Sequence, residues 1–251
     1  MKHFIAIILL ACISFTPADK VSSRFKTPAG YQQVAVAPGS FGAYLQNLPL
    51  LPAGTRTKTY AGDIARTDPY TAAVIDISIG SQDLQQCADA VMRLRAEYLF
   101  QRQDYKAISF NFTSGFKCDF EHYANGYRYS NNRWILKAKK DYSYASFMRY
   151  MTLVFSYAGT LSLEKELKPV TNADELKAGD VFIRGGSPGH CFIILDVAEN
   201  ASHKKVFLLA QSFMPAQNIQ VLQNDSPWFA LGQTANIPYG ELMDKKYLKR
   251  F

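Results

Sequence analysis

The chain of 251 residues has little of what metal or redox chemistry needs. It contains 4 histidines and 4 cysteines, and no two cysteines form a CxxC pair, which removes the dithiol redox motif. His122 follows Cys118 by four positions, but no second pair completes a zinc ligand set. No cofactor and no metal are therefore expected. No internal repeat, low-complexity tract or linker divides the chain, so one mature domain over 19–251 is expected. Only 20% of residues are charged, with a net charge of +7 and a pI near 9.1. The basic residues are scattered, apart from Lys137–Lys140 and Lys245–Arg250. That gives no stripe for a nucleic acid and suits anionic surroundings such as an envelope polymer or a membrane face.

What is present at the start is a targeting segment over 1–18. Lys2 and His3 form a basic beginning, followed by the apolar run Phe4–Ala11, which is too short to span a bilayer. Leu9-Leu10-Ala11-Cys12 resembles a bacterial lipobox, in which Cys12 would be lipidated and would anchor the chain to a membrane. Cleavage after Ala18 by a plain signal peptidase is the competing outcome. Both predict an exported protein, periplasmic or a lipoprotein of the outer membrane or cell surface, and a monomer is expected. Setting Cys12 aside, Cys87, Cys118 and Cys191 are an odd number. At least one thiol is then free or bonded to another chain, so the cysteines are not a disulfide framework.

The hydrophobic patterning predicts an α+β fold, an antiparallel sheet with packed helices. Ser40 caps a short helix over 41–47, and Ala73, Ile75, Ile77 and Ile79 alternate as a strand. The spacing of Leu84, Cys87, Ala88, Val91, Leu94 and Tyr98 predicts a helix over 82–103, capped by Ser81, with Asp89, Arg93 and Glu97 away from the apolar stripe. Ile108 to Cys118 reads as a hairpin, and 142–158 and 162–168 read as helices, with Gly159 stopping the first. Tyr123–Trp134 mixes aromatic and hydrogen-bonding residues, which suits either a carbohydrate or peptide surface or strand packing.

The centre of the chain is Gly179–Asp196, GDVFIRGGSPGHCFIILD. Two apolar strands flank a glycine-rich loop, and His190 opens the second of them. The glycines open space beside the imidazole, so His190 is either a satisfied core histidine or a site residue. Val206–Phe213 follows as the antiparallel neighbour strand. If paired positions sum to an odd number, Gln211 and Phe213 share the face of His190; if even, Ser212 does.

A thiol nucleophile needs a base, and the base needs a polar group to fix its tautomer. Cys87, His190 and Gln211 are the catalytic candidates in those roles. The competing reading makes Cys87 a core residue on an apolar helix stripe. The Cys87 N–H with Gln82, Gln85 or Gln86 could form an oxyanion hole, and Arg184 and Ser187 could line the cleft.

Gly179–Ile183 and Gly189-His190, followed by an apolar strand ending at Asp196, resemble the histidine half of NlpC-type and CHAP-type cysteine peptidases. That resemblance implies a papain-like, NlpC-like core in which Cys87 is nucleophile, His190 base and Gln211 orienter. It implies cell-wall peptides or related amides and esters as substrates. A longer set of segments, Gln85–Phe100, Phe110–Phe116, Phe155–Leu167, Gly179–His190 and Leu208–Leu222, resembles an uncharacterised bacterial envelope family, domain of unknown function 4846, which implies no activity. The functional expectations are thus an envelope cysteine hydrolase or, on the same scaffold, a non-catalytic envelope binding protein with Cys87 in the core.

Overall fold

The computed structural model describes residues 19–251. The expectations for the leader, including Cys12, lie outside these residues. In chain order the elements are α1 (Val21–Arg24), β1 (Tyr31–Gln33), α2 (Phe41–Gln46), β2 (Thr71–Val74), α3 (Cys87–Gln101), β3 (Ser109–Asn111) and β4 (Lys117–Asp119). Then come α4 (Phe120–Ala124), β5 (Tyr127–Ser130), β6 (Arg133–Leu136), α5 (Tyr144–Tyr157), α6 (Thr160–Glu166) and β7 (Lys168–Pro169). The remaining strands are β8 (Val181–Arg184), β9 (His190–Asn200), β10 (Lys205–Gln211), β11 (Gln220–Leu222), β12 (Trp228–Ala230) and β13 (Leu248–Arg250).

The fold is α+β. Nine strands form one sheet in the order β2-β11-β10-β9-β8-β13-β7, with β1 added to β9 and β12 to β10, and each pairing is antiparallel. β8, β9 and β10 read as near-continuous apolar runs because both faces of the sheet are covered. On one face Ile193, Leu195, Leu208 and Ala210 meet Val91 and Leu94 of α3 in a core that extends to Phe147 and Met151 of α5. On the other, Phe182, Phe192, Ile194, Phe207 and Leu209 meet Phe229, Leu242 and Met243. Each fully buried side chain of this size contributes roughly 1.5–3 kcal/mol, so the sheet is a rigid platform for whatever its strand ends carry.

The register along β9 and β10 changes partway. Lys205↔Glu199 to Leu208↔Asp196 share one register, and Leu209↔Ile194 and Ala210↔Ile193 share the next, because β9 carries an extra residue at Leu195. The bulge converts an even pairing sum into an odd one. Odd is the register at the His190 end, and it puts Gln211 on the face of His190.

Several sequence expectations are corrected. The helix does not begin after Ser81. Gln86 is extended, and α3 starts at Cys87. The approach loop is held out of the helix by a segment distant in sequence: Ser212 Oγ donates to the Gln85 carbonyl, and Ala216 N–H donates to Asp83 Oδ1. Asp89, Arg93 and Glu97 are buried rather than solvated. Arg93 binds Glu97 at 2.7 Å, and Tyr144 of α5 donates to the same carboxylate. The charges are inside because α3 is enclosed on more sides than one apolar stripe would allow for. β2 is shorter than the alternation suggested, ending at Val74. Gly159 serves as the N-cap of α6. The aromatic segment 123–134 folds largely into the β5–β6 hairpin, where Tyr129 and Trp134 pack on Phe116.

Candidate active site

The three catalytic candidates meet at one end of the sheet. Cys87 is the first residue of α3, and its φ of +31° is a left-handed value for a non-glycine residue. Such a conformation persists only where the surroundings impose it. Here Gln86 N–H donates to Asp89 Oδ2, and the preceding loop is pinned by Ser212 and Ala216, so the backbone is fixed on both sides of the thiol. His190 opens β9, and its Nδ1 lies 3.3 Å from Cys87 Sγ. Its Nε2 lies 2.7 Å from Gln211 Oε1, at the end of β10.

The tautomer follows from the partners. A glutamine carbonyl oxygen only accepts, so His190 carries its proton on Nε2. Nδ1 is left with a bare lone pair directed at the thiol, which is the form a general base needs.

Burial sets the charge state. It pushes the Cys87 thiol up to about 12, with the nearby Asp89 adding in the same direction. It brings the His190 imidazole down to about 4, against the hydrogen bond it donates to Gln211. The pair therefore rests as neutral thiol and neutral imidazole. A cysteine at a helix N-terminus gains from the helix dipole, but here enclosure outweighs it. A thiol in that state could act as a nucleophile only by giving up its proton to the neighbouring nitrogen during attack.

His190 is walled by rings. Tyr239 stacks on it with centroids 4.7 Å apart and planes 24° apart, and Phe192 and Phe213 lie at 4.9 and 5.2 Å. Sequence reasoning missed Tyr239. Its neighbours Pro238 and Gly240 mark a turn, but nothing local directs that turn to His190. Tyr239 also has a left-handed φ of +62°.

The thiol opens into a cleft of about 280 Å³ between the start of α3, the α5–α6 junction, the loop Gly186–Gly189 and Met214. Of the other candidates, Gln86 and Ser187 line this cleft, and the Gln86 amide is engaged by Asp83 Oδ1 at 2.7 Å. Gln82 and Gln85 line a neighbouring hollow instead, and Gln85 Oε1 accepts from Arg93. Arg184 is directed to Glu241, at 3.1 Å, and over the ring of Tyr239. The Cys87 N–H, at the first helical position beside the cleft, has no intrahelical acceptor. Gly189 gives close packing rather than open space: a Cβ there would collide with both the Gly186 carbonyl oxygen and Thr160 Oγ1.

Cys118 and Cys191 are buried and form no disulfide among the described residues. Among the described residues no cluster of three or more His, Cys, Asp or Glu could hold a metal ion, and no helix is long and apolar enough to cross a membrane. No curated protein and no solved structure matches the chain. A family model does match, over residues 21–250, and on that extent the chain belongs to the family described as domain of unknown function 4846.

Proposed function

We propose that this chain is an exported cysteine hydrolase, peptidase- or amidase-like, working through Cys87, His190 and Gln211 on a papain-like core. The observation that carries the reading is the continuous line from Cys87 Sγ through both ring nitrogens of His190 to Gln211 Oε1. A core cysteine requires neither a left-handed backbone nor a bare imidazole nitrogen beside its sulfur.

In the proposed reaction the thiol attacks the carbonyl carbon of an amide or ester while its proton passes to His190 Nδ1. The Cys87 N–H receives the developing oxyanion at the α3 N-terminus. The tetrahedral species collapses, and the imidazolium gives its proton to the leaving amine or alcohol. Water, deprotonated by the same nitrogen, then attacks the acyl carbon; the carbon–sulfur bond breaks, and the imidazolium returns its proton to the leaving sulfur. Gln211 holds the ring through both halves. The leader, with Cys12 as a lipid attachment point, suits action at the envelope, where cell-wall peptides supply amide bonds.

The test is labelling of the folded protein by iodoacetamide, with the site mapped by mass spectrometry. Cys87 should be modified ahead of Cys118 and Cys191, and His190→Ala should slow its modification by roughly 10²–10⁴-fold, the usual contribution of a positioned base. Equal rates with and without His190, or labelling only after unfolding, would make Cys87 a core residue and end the hydrolase reading.

A further inference from the structure

Asp89 sits two residues after Cys87 in the first turn of α3, is 6% exposed, and lines the same cleft. One carboxylate oxygen, Oδ2, accepts the Gln86 N–H at 3.0 Å. The other, Oδ1, is buried with no hydrogen-bond partner among the described residues. The other buried aspartates are treated differently. Asp180 binds Arg250 through both oxygens, Asp68 holds Arg56 and the Thr57 N–H, and Asp196 accepts from Gln33, Gln46 and the Val197 N–H. Asp89 has neither a cation nor a second donor.

Among the described residues no lysine or arginine lines the cleft. The titratable and charged groups around Asp89 are Cys87 and Arg93 on its own helix, Cys191 on β9 with His190 beyond Cys87, and Asp83 in the approach loop, and Arg93, one turn on, is engaged by Glu97, Gln85 and Tyr144. None of them neutralises the Asp89 carboxylate at neutral pH. A buried anion without a partner costs several kcal/mol or more, and the group avoids that cost by keeping its proton. Burial accordingly holds the Asp89 carboxyl well above the ordinary carboxylate range, against the Gln86 N–H. Because Oδ2 already accepts a hydrogen bond, the proton belongs on Oδ1, the orphan atom.

We propose that Asp89 is a further catalytic residue of this site, a neutral carboxylic acid whose Oδ1–H donates a hydrogen bond to the carbonyl oxygen of an amide or ester bound against Cys87. This rests on the hydrolase reading and deepens it. The Cys87 N–H and the Asp89 O–H form a two-donor site at the positive end of α3, and both strengthen as charge moves onto the acyl oxygen. The capping bond to Gln86 needs only Oδ2, so it leaves the second oxygen unexplained; the donor role uses it. The ligand class is an uncharged acyl group. Ionisation of Asp89 would set a carboxylate against the oxyanion and shut the site down.

The test is infrared spectroscopy of the whole protein at pH 7, as the difference between wild type and Asp89→Asn, with and without acetyl-alaninal. This aldehyde forms a thiohemiacetal: Cys87 Sγ bonds to the aldehyde carbon, and the thiol proton passes through His190 to the new hydroxyl. Mass spectrometry establishes whether the adduct forms. The expected result is a protonated-carboxylic-acid carbonyl band for Asp89 at pH 7, which shifts to lower frequency once the adduct is present. Asp89→Leu should weaken adduct formation on the order of a hundredfold, and Asp89→Asn, which keeps a neutral donor, should recover most of that loss. An adduct without the band, or a band that the adduct does not move, overturns the donor role alone. A band without any adduct on Cys87 overturns the hydrolase reading, and the donor role with it.

Discussion

His190 Nε2 and Gln211 Oε1 stand 2.7 Å apart because of one extra residue in β9. Over their first four pairs β9 and β10 run in a register that, continued, would turn Gln211 to the α3 face and bring Ser212 to the side of His190. The bulge at Leu195 changes the parity before the strand ends. A serine hydroxyl both donates and accepts and would leave the imidazole tautomer undecided, whereas the glutamine carbonyl oxygen accepts only and fixes it.

Gln211→Ala should therefore weaken the site without dismantling it. One net hydrogen bond is worth about 1 kcal/mol, which corresponds to about fivefold in rate. Alkylation of Cys87 by iodoacetamide should slow by about that factor, with the melting temperature little changed. Gln211→Glu should restore the acceptor and raise the imidazole pKa by placing a carboxylate against Nε2. A Gln211→Ala protein that labels at the wild-type rate would remove Gln211 from the mechanism.

The pH dependence follows from the depressed imidazole. His190 titrates near 4 when folded, against about 6.5 for a free histidine. Above the unfolded value both states hold a neutral ring, and the full stability is present. As pH falls below about 6.5 the unfolded chain takes up a proton that the folded protein refuses, and stability declines until the folded ring itself titrates. Two to three units correspond to about 3 kcal/mol. Denaturant unfolding at a series of pH values should show this slope in wild type minus His190→Gln; other groups that titrate in the window, such as Glu166 at about 7, largely cancel in the difference. Labelling of Cys87 should be lost lower down, as pH falls through about 4, because only there does the folded ring take up a proton on Nδ1 and cease to act as base.

Much of this site can be read from the chain, and the rest depends on distant contacts. The strand–loop–strand around His190 is legible because Val181–Ile183 and Cys191–Leu195 are short apolar runs separated by Gly and Pro. The choice between Gln211 and Ser212 is not legible, since nothing in Leu195 or Asp196 announces a bulge. The start of α3 is misread for a related reason. Gln82 to Gln86 contains good helix formers, and what stops them is a bond from Ser212, 127 residues away from Gln85. The burial of Asp89, Arg93 and Glu97 is hidden because charge predicts exposure unless partners are known, and Tyr144, which joins Arg93 and Glu97, lies on another helix.

The left-handed backbone at Cys87 has its own consequence. A non-glycine residue held there stores on the order of 1–3 kcal/mol. Within a helix glycine is ordinarily the poorer residue, by about 1 kcal/mol relative to alanine. At this position the order should invert: Cys87→Gly should be more stable than Cys87→Ala by about 1 kcal/mol, because glycine adopts positive φ freely. Neither variant can be alkylated at the site. Urea unfolding of the two, compared at equal m-value, measures the difference, and the usual helix order would mean that Cys87 is unstrained.

Tyr239 offers a way to move the imidazole without touching it. Its ring covers His190 at 4.7 Å, and that enclosure is part of what keeps water from the ring and depresses its pKa. Tyr239→Ala should admit water, and the acid limb of Cys87 labelling should rise by about one pH unit or more towards the ordinary histidine value. Tyr239→Phe retains the stacked face and should leave the limb in place. The same two variants separate packing from chemistry, since removing one ring of an aromatic pair costs about 0.5–1.5 kcal/mol whether or not His190 is a base. If Tyr239→Ala loses stability while the acid limb stays where it was, the ring only packs, and the depressed imidazole owes its state to Phe192, Phe213 and the strand ends.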